Sequence, residues 1–183
     1  MTDSDRTKVS VFIATSLDGF IARLDGDVSW LHEGEQLEGE DYGYHQFMES
    51  VDTLVMGRNS FEKVLEFGDW PYEKPVIVLS RSLTKLPEQL RDRVKIDTSS
   101  PAELADKLAQ EGIRHIYLDG GRVIQSFLRA GLVDDMVLTR IPVLLGQGLP
   151  LFGELSEDVN LRHVSTQSWR NGLVQSKYQV IGR

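Results

Sequence analysis

Three short clusters along the chain combine glycine, arginine and small hydroxyl residues as anion binding requires. They are Gly57-Arg58-Asn59-Ser60, Ser80-Arg81-Ser82 and Asp119-Gly120-Gly121-Arg122. Each follows a short apolar run that reads as a buried strand (Asp52–Met56, Pro75–Leu79 and Ile113–Leu118). The first and third also open a predicted helix. A helix N-terminus leaves backbone N–H groups unpaired and carries partial positive charge, which suits phosphate. Glycine lets the backbone approach a ligand closely, and arginine adds a donor fork that matches phosphate oxygens. Singly, each cluster is equally a plain turn. In open α/β sheets, however, ligands sit beyond the carboxyl ends of the strands, so three clusters at one end reinforce each other. Two phosphate-binding helix N-termini and an additional Arg predict a dinucleotide, with a 2′-phosphate as the group the Arg would read.

Competing motifs are absent. Neither G-x-G-x-x-G nor the P-loop pattern occurs, which disfavours an ordinary Rossmann dehydrogenase or a P-loop NTPase. No G-x-S-x-G hydrolase elbow occurs either. His32, His45, His115 and His163 lack metal-ligand spacing, and with no cysteine in the chain no metal site is expected. Trp30 and Tyr44 flank the predicted cleft, where they would stack on a flat heterocycle or simply pack the core. The acidic run Glu33 to Asp41 reads as a solvated loop or a lid.

The elements that must position these residues alternate between strand and helix. Val9–Thr15 reads as a buried strand that turns at Ser16-Leu-Asp-Gly19 into Phe20–Ala22. Residues 23–40 form a long loop with a short turn near Trp30, and Asp41–Ser50 reads as a helix. Asn59 with Glu62 is expected to cap the helix after the first cluster. Val94–Asp97 is a short strand. Ser100-Pro-Ala-Glu103 predicts a capping box, with Gly112 as the stop. A helix over Val123–Ala130 stops at Gly131, and a strand follows over Met136–Val143. Asn171-Gly172 between two β-like runs predicts a terminal hairpin. Parallel pairs joined by crossovers, plus that hairpin, make a mixed sheet.

The chain has 183 residues, 20 Lys and Arg against 28 Asp and Glu, and a net charge of −8. This argues against a nucleic-acid-coating role, which needs a basic footprint. Residues 1–8 are expected to be a disordered polar start and residues 9–183 one domain. No run approaches the ~20 apolar residues of a membrane span. The composition fits a protein of the reducing cytoplasm.

Five segments occur in family order: Ile13-Ala-Thr-Ser-Leu-Asp-Gly-Phe-Ile-Ala22, Val55-Met-Gly-Arg-Asn-Ser-Phe-Glu62, Val76-Ile-Val-Leu-Ser-Arg81, Ile116-Tyr-Leu-Asp-Gly-Gly-Arg-Val-Ile124 and Ile141-Pro-Val-Leu-Leu-Gly-Gln-Gly-Leu-Pro-Leu-Phe152. Through them the chain resembles the dihydrofolate reductase superfamily. More closely, it is similar to stand-alone proteins related to the C-terminal reductase domain of the bifunctional riboflavin-biosynthesis deaminase/reductase. The resemblance implies a three-layer α/β fold, with a mixed sheet of about eight strands and helices on both faces. It also implies NADPH as cofactor and a homodimer.

The resemblance further implies residue roles. Ala14 would lie against the nicotinamide, and Gly57, Arg58, Asn59 and Ser60 would meet the pyrophosphate and adenosine phosphate. Ser80, Arg81 and Ser82 would take the 2′-phosphate, and Gly120, Gly121, Arg122, Val123 and Ile124 the other side of the pyrophosphate. Hydride transfer to a C=N bond needs a proton at nitrogen. Asp41, sixteen residues before Gly57, matches the folate-enzyme acid, with helix capping as its other reading. Asp18 matches the riboflavin-type reductases, with an ordinary turn as its other reading. The expected activity is reduction of a pteridine or a 5-amino-6-ribosylaminouracil-type heterocycle. A non-catalytic NADPH-binding protein and a true dihydrofolate reductase are the alternatives. No zinc-binding Cys/His cluster for a deamination step is present.

Overall fold

The structure, a computed structural model, describes residues 6–182. Ten strands and four helices follow in the order β1 (Lys8–Ser16), β2 (Phe20–Ala22), α1 (Tyr44–Ser50), β3 (Thr53–Gly57), α2 (Arg58–Glu66), β4 (Val76–Leu79), β5 (Val94–Asp97), α3 (Pro101–Gln110), β6 (His115–Asp119), α4 (Gly121–Arg129), β7 (Asp135–Ile141), β8 (Leu149–Pro150), β9 (Asn160–Ser168) and β10 (Val174–Ile181). The eight-stranded sheet has the order β5-β4-β3-β6-β1-β7-β10-β9. From β5 to β7 all pairs are parallel, whereas β10 is antiparallel to both β7 and β9. The carboxyl ends of β3, β4, β6 and β1 therefore lie along one edge.

Alternation in the strands builds two cores. Val55, Ile77, Ile116 and Leu118 face α3 and α4, packing with Leu104, Leu108, Ile124 and Phe127. The intervening Leu54, Met56, Val76, Val78 and Tyr117 pack with Phe61 of α2, and Phe47 and Met48 of α1 lie against the same core. Strands covered on both faces must be apolar throughout, so β3, β4 and β6 read as continuous hydrophobic runs. This is the expected three-layer α/β fold.

Several local expectations change. The start is ordered earlier than expected: Lys8 already pairs with His115 in β1, and Thr7 is buried with its Oγ1 donating to the Ile113 carbonyl at 2.7 Å. Residues 1–5 lie outside the described residues. Helix α1 begins at Tyr44, because Gly43 takes φ 81° and Asp41 sits ahead of the first turn. Asn59 is not a cap: α2 begins at Arg58, and Gly57 in extended conformation is its N-cap. The capping box at Ser100 and Glu103 forms as expected. The Gly/Pro loop contains β8, which pairs with β2 in a separate two-stranded sheet. The hairpin closes through three residues rather than two. Gly172 N–H donates to the Trp169 carbonyl, and Trp169 N–H to the Leu173 carbonyl. Only Gly172 has positive φ there, as a turn with a glycine bulge requires.

Candidate functional site

The two helix N-termini picked out by the sequence meet each other. A Cβ placed on Gly120 would overlap Ser60 Oγ and lie 3.4 Å from Ser60 Cβ, and one on Gly57 would lie 3.4 Å from Val123 Cγ2. Gly120 has φ 88° and ψ 135°, a conformation open to glycine. The start of α2 thus touches the start of α4, and only small residues at 57, 60 and 120 permit it.

These two ends also differ from the other long helix. At α3, the Ser100 hydroxyl and Glu103 carboxylate satisfy the first N–H groups from within. Neither α2 nor α4 has a side-chain cap or an acidic residue in its first turn. Their leading N–H groups and positive dipole ends are left to an outside anion. Such a pair of uncapped ends fits the charge and donor needs of a pyrophosphate. The contribution of α4 is narrower than expected. Ile124 N–H donates to the Gly120 carbonyl at 3.0 Å, and the side chains of Val123 and Ile124 enter the core. Ile124 is therefore removed from the anion set, and Val123 offers only its backbone. A Cβ on Gly121 would strike Ile21 and the Pro150 carbonyl, so its small size serves packing against β2 and β8.

The β3 and β4 ends are linked. Arg58 Nη1 donates to Ser82 Oγ at 3.1 Å, and Ser80 Oγ accepts from the N–H groups of Ser82 and Leu83 at 3.2 and 3.1 Å. Arg58 also lies 3.6 Å from Glu62, one turn along α2. Arg81, Asn59 and Arg122 are exposed. Arg81 acts electrostatically on Glu103 at the start of α3. Ala14 stands on β1 beside Thr139 of β7.

On the α1 face of the sheet, next to this edge, lies an aromatic cluster. Phe12 packs on Phe47 with ring centroids 4.9 Å apart and meets Tyr44 edge-on at 5.7 Å. Phe47 meets Tyr117 edge-on at 5.0 Å. Tyr117 OH donates to the Phe12 carbonyl at 3.0 Å. At the end of β6, Asp119 falls on the same face as Tyr117 by strand alternation, in register with Met56. Burial pushes the Asp119 carboxyl above the ordinary aspartate value, and only the Gly120 amide opposes it. Burial and then the Asp119 charge raise the Tyr44 phenol to about 12. The same two causes raise Tyr72 and Tyr117. Asp119 is thus a partly buried carboxyl within electrostatic reach of three tyrosines.

The acids singled out from sequence have the opposite character. Asp18 accepts from Ser16 Oγ at 2.6 Å and from the N–H groups of Leu145 and Gly146 at 3.2 and 2.7 Å. The Ser16 hydroxyl, outweighing desolvation and joined by the two amides, lowers its pKa. Asp18 ties the turn after β1 to the loop after β7. Asp41 accepts from the N–H groups of His45 and Gly43 at 2.8 and 2.9 Å, which lowers its pKa as well. Both are held as carboxylates, and a proton donor needs the reverse. In the sequence Asp119 stands out only as the first residue of the third anion-binding cluster. The available signal was a carboxyl ending the apolar run of β6.

Of the two aromatic candidates, Tyr44 belongs to this cluster and Trp30 does not. Trp30 is 2% exposed, in the 3-10 turn Ser29–Leu31, so it cannot stack on a ligand. The acidic segment crosses to the hairpin. Trp169 Nε1 donates to Glu40 at 3.0 Å, Asn171 Nδ2 to Tyr42 OH at 2.9 Å, and Gln175 Nε2 to the Tyr42 carbonyl at 3.0 Å. Tyr42 itself has φ 55°. Two cavities, of about 260 and 420 Å³, lie at the opposite ends of the strands and touch none of these residues. Among the described residues no cluster of His, Asp or Glu could hold a metal ion, and no helix is long and apolar enough to cross a membrane.

The RibD C-terminal domain family matches residues 7–175, and the chain belongs to that family. The Bacillus subtilis protein YwjB is 34% identical over 166 residues, covering 88% of this chain and 92% of its own. A crystal structure from Shewanella sp. PV-4, provisionally named a riboflavin biosynthesis protein, superposes with a TM-score of 0.92 at 42% identity, over 96% of this chain and all of that one. A Thermotoga maritima diaminohydroxyphosphoribosylaminopyrimidine deaminase/5-amino-6-(5-phosphoribosylamino)uracil reductase shares the fold. Its TM-score is 0.74 at 15% identity, over 97% of this chain and 58% of that one.

Proposed function

We propose that this member of the RibD C-terminal domain family is an NADPH-dependent reductase of a small planar heterocycle, of the pteridine or 5-amino-6-ribosylaminouracil kind. The observation that carries the reading is the meeting of two uncapped helix N-termini at Ser60 and Gly120, beside an aromatic cluster within electrostatic reach of a carboxyl of raised pKa.

The leading N–H groups of α2 and α4 bind the pyrophosphate. Arg58, Ser80, Arg81 and Ser82 at the ends of β3 and β4 take the 2′-phosphate. Ala14, small and at the cleft end of β1, leaves room for the nicotinamide. When bound, the cofactor supplies a hydride. Tyr44, Phe12 and Phe47 provide apolar ring surface against which a heterocycle packs. Reducing a C=N bond places a proton on nitrogen, and Asp119 delivers it. Its surroundings favour the protonated form, whereas Asp18 and Asp41 are fixed as acceptors. The folate reading loses its acid, since Asp41 is exposed and spent on the first turn of α1.

The test is Asp119→Asn, which keeps the shape and removes the transferable proton. Turnover is expected to fall about 10²–10⁴-fold. NADPH affinity should stay within about twofold, and the loss of activity toward high pH should disappear with the carboxyl. Undiminished turnover would refute the role of Asp119. Saturable NADPH binding without oxidation, across dihydropteridines and ribosylaminopyrimidines, would replace the reductase by a nucleotide-binding protein of the same fold.

A further inference from the structure

The register of the sheet sets what surrounds Asp119. Val11 of β1 pairs with Leu118 of β6, and Met56 of β3 pairs with Asp119. Phe12, Asp119 and Met56 therefore stand level on three adjacent parallel strands, about 4.8 Å apart from one strand to the next. Val11, Leu118 and Val55 face the α3 and α4 core, so their successors Phe12, Asp119 and Met56 share the opposite face. Phe12 carries the ring of Tyr44 at 5.7 Å. Tyr72, half-buried between α2 and β4, packs with Phe12 and Phe47 against the core that contains Met56 and Tyr117. Its ring is held edge-on by Trp70 at 5.3 Å, and Trp70 by Phe61 of α2 at 5.8 Å.

The hydroxyls of these tyrosines differ in their partners. Tyr117 OH is spent on the Phe12 carbonyl at 3.0 Å. Among the described residues, Tyr44 OH and Tyr72 OH have no hydrogen-bond partner. The buried side-chain atoms left without one are the indole nitrogens of Trp30 and Trp70, so the Tyr72 hydroxyl is open to solvent although its ring is held. Burial first, then the Asp119 charge and then Tyr44, keep the Tyr72 phenol in its neutral, donating form. Burial and then Asp119 do the same for Tyr44. The two phenols thus lie within electrostatic reach of Asp119 and of each other.

Two O–H donors on held rings, beside a carboxyl whose surroundings favour its protonated form, call for acceptors on the ligand. An oxo oxygen has two lone pairs and can serve both phenols, whereas an unprotonated ring nitrogen has one. We propose that Tyr72 is a substrate-binding residue, its hydroxyl donating together with that of Tyr44 to an oxo oxygen of the planar heterocycle and so holding the ring at Asp119. The pair selects oxo-substituted rings over rings bearing only amino groups, whose N–H groups would face donors. The proposal rests on the reductase reading and adds the donors that orient its substrate.

The experiment uses the full chain, as parent and as Tyr72→Phe, which keeps the ring and removes only the donor. Binding of 5-amino-6-ribosylaminouracil in the presence of NADP⁺ is measured by calorimetry, and NADPH oxidation is measured separately. Tyr72→Phe is expected to weaken binding about three- to tenfold and to raise KM by the same factor. The change in kcat should stay below about threefold and that in NADPH affinity below about twofold. For the analogue with sulfur, a weak acceptor, in place of the oxo oxygens, the penalty should shrink to less than about twofold. Equal affinity of parent and Tyr72→Phe for the oxo compound overturns the proposal, even if NADPH is oxidised. A penalty of the same size with both compounds also overturns it, because lost packing weakens both alike. A penalty confined to the oxo compound, with no NADPH oxidation by the parent, upholds the contact and refutes the reductase reading. Binding of neither compound to the parent overturns both.

Discussion

Replacing Gly120 by alanine perturbs the contact on which the cofactor reading depends. Two costs add. The backbone at φ 88° and ψ 135° lies where residues with a Cβ are strained by about 1–3 kcal/mol. The new methyl would also overlap Ser60 Oγ and sit 3.4 Å from Ser60 Cβ. Overpacking of this kind costs about 1–3 kcal/mol, toward the low end here because the hydroxyl can rotate. The expected loss is about 2–4 kcal/mol, or roughly 4–16 °C in melting temperature for a chain of this size. Urea denaturation of four proteins measures it: the parent, Gly120→Ala, Ser60→Ala and the double variant. In the Ser60→Ala background only the backbone cost remains, about 1–3 kcal/mol, so the two substitutions couple favourably. A Gly120→Ala protein within 0.5 kcal/mol of the parent, or strict additivity with Ser60→Ala, would refute the contact between α2 and α4.

Other consequences are equally specific. Arg81→Ala should weaken NADPH about 10–100-fold, as loss of a charge-assisted phosphate contact does, and change NADH less than about threefold in a fluorescence titration. Equal losses would show that Arg81 does not read the 2′-phosphate. Burial pushes Asp97 up, but Lys107 at 2.6 Å and Ser99 outweigh it and hold the carboxyl at about 2. Because this lies below the unfolded value near 3.9, the contribution is complete above about pH 4 and lost as pH falls toward 2. Lys107→Met should therefore lower stability at pH 7 by about 1 kcal/mol and flatten that acid limb. An unchanged limb in acid titrations of the melting temperature would contradict the pairing. A homodimer is expected from the family resemblance, and β9, exposed at all nine positions, offers an open edge. Sedimentation equilibrium should give twice the 20.7 kDa chain mass, and a monomer would dismiss the expectation.

The elements were legible where local chemistry decides them. Ser100, Pro101 and Glu103 contain their own helix start, and β5 was bounded at Val94 and Asp97 because its ends are marked by polar residues. The three strand-end clusters were legible because buried parallel strands must be continuously apolar and must end abruptly at polar turns. What escaped depends on tertiary contact. Asn59 and Glu62 have capping-box spacing, yet Arg58 already adopts helical geometry and displaces Asn59 into the first turn. Trp30 is a cleft residue by position along the chain, but its turn buries it. The charge state of the two acids named from sequence escaped for the same reason. Asp18 and Asp41 have suitable spacing, but backbone amides brought from elsewhere or folded back on them fix their charge. The raised pKa of Asp119 comes from its burial at the end of β6, which only the fold brings about. The partners of Glu40 and Tyr42 at Trp169, Asn171 and Gln175 lie about 130 residues away and leave no local mark.

The proposed function requires that this strand-end constellation hold NADPH. Titrating the protein with NADPH while following the fluorescence of Trp30, Trp70 and Trp169 tests it directly. Saturable binding at micromolar cofactor, tighter than for NADH, is expected. No saturable change at millimolar NADPH would contradict it.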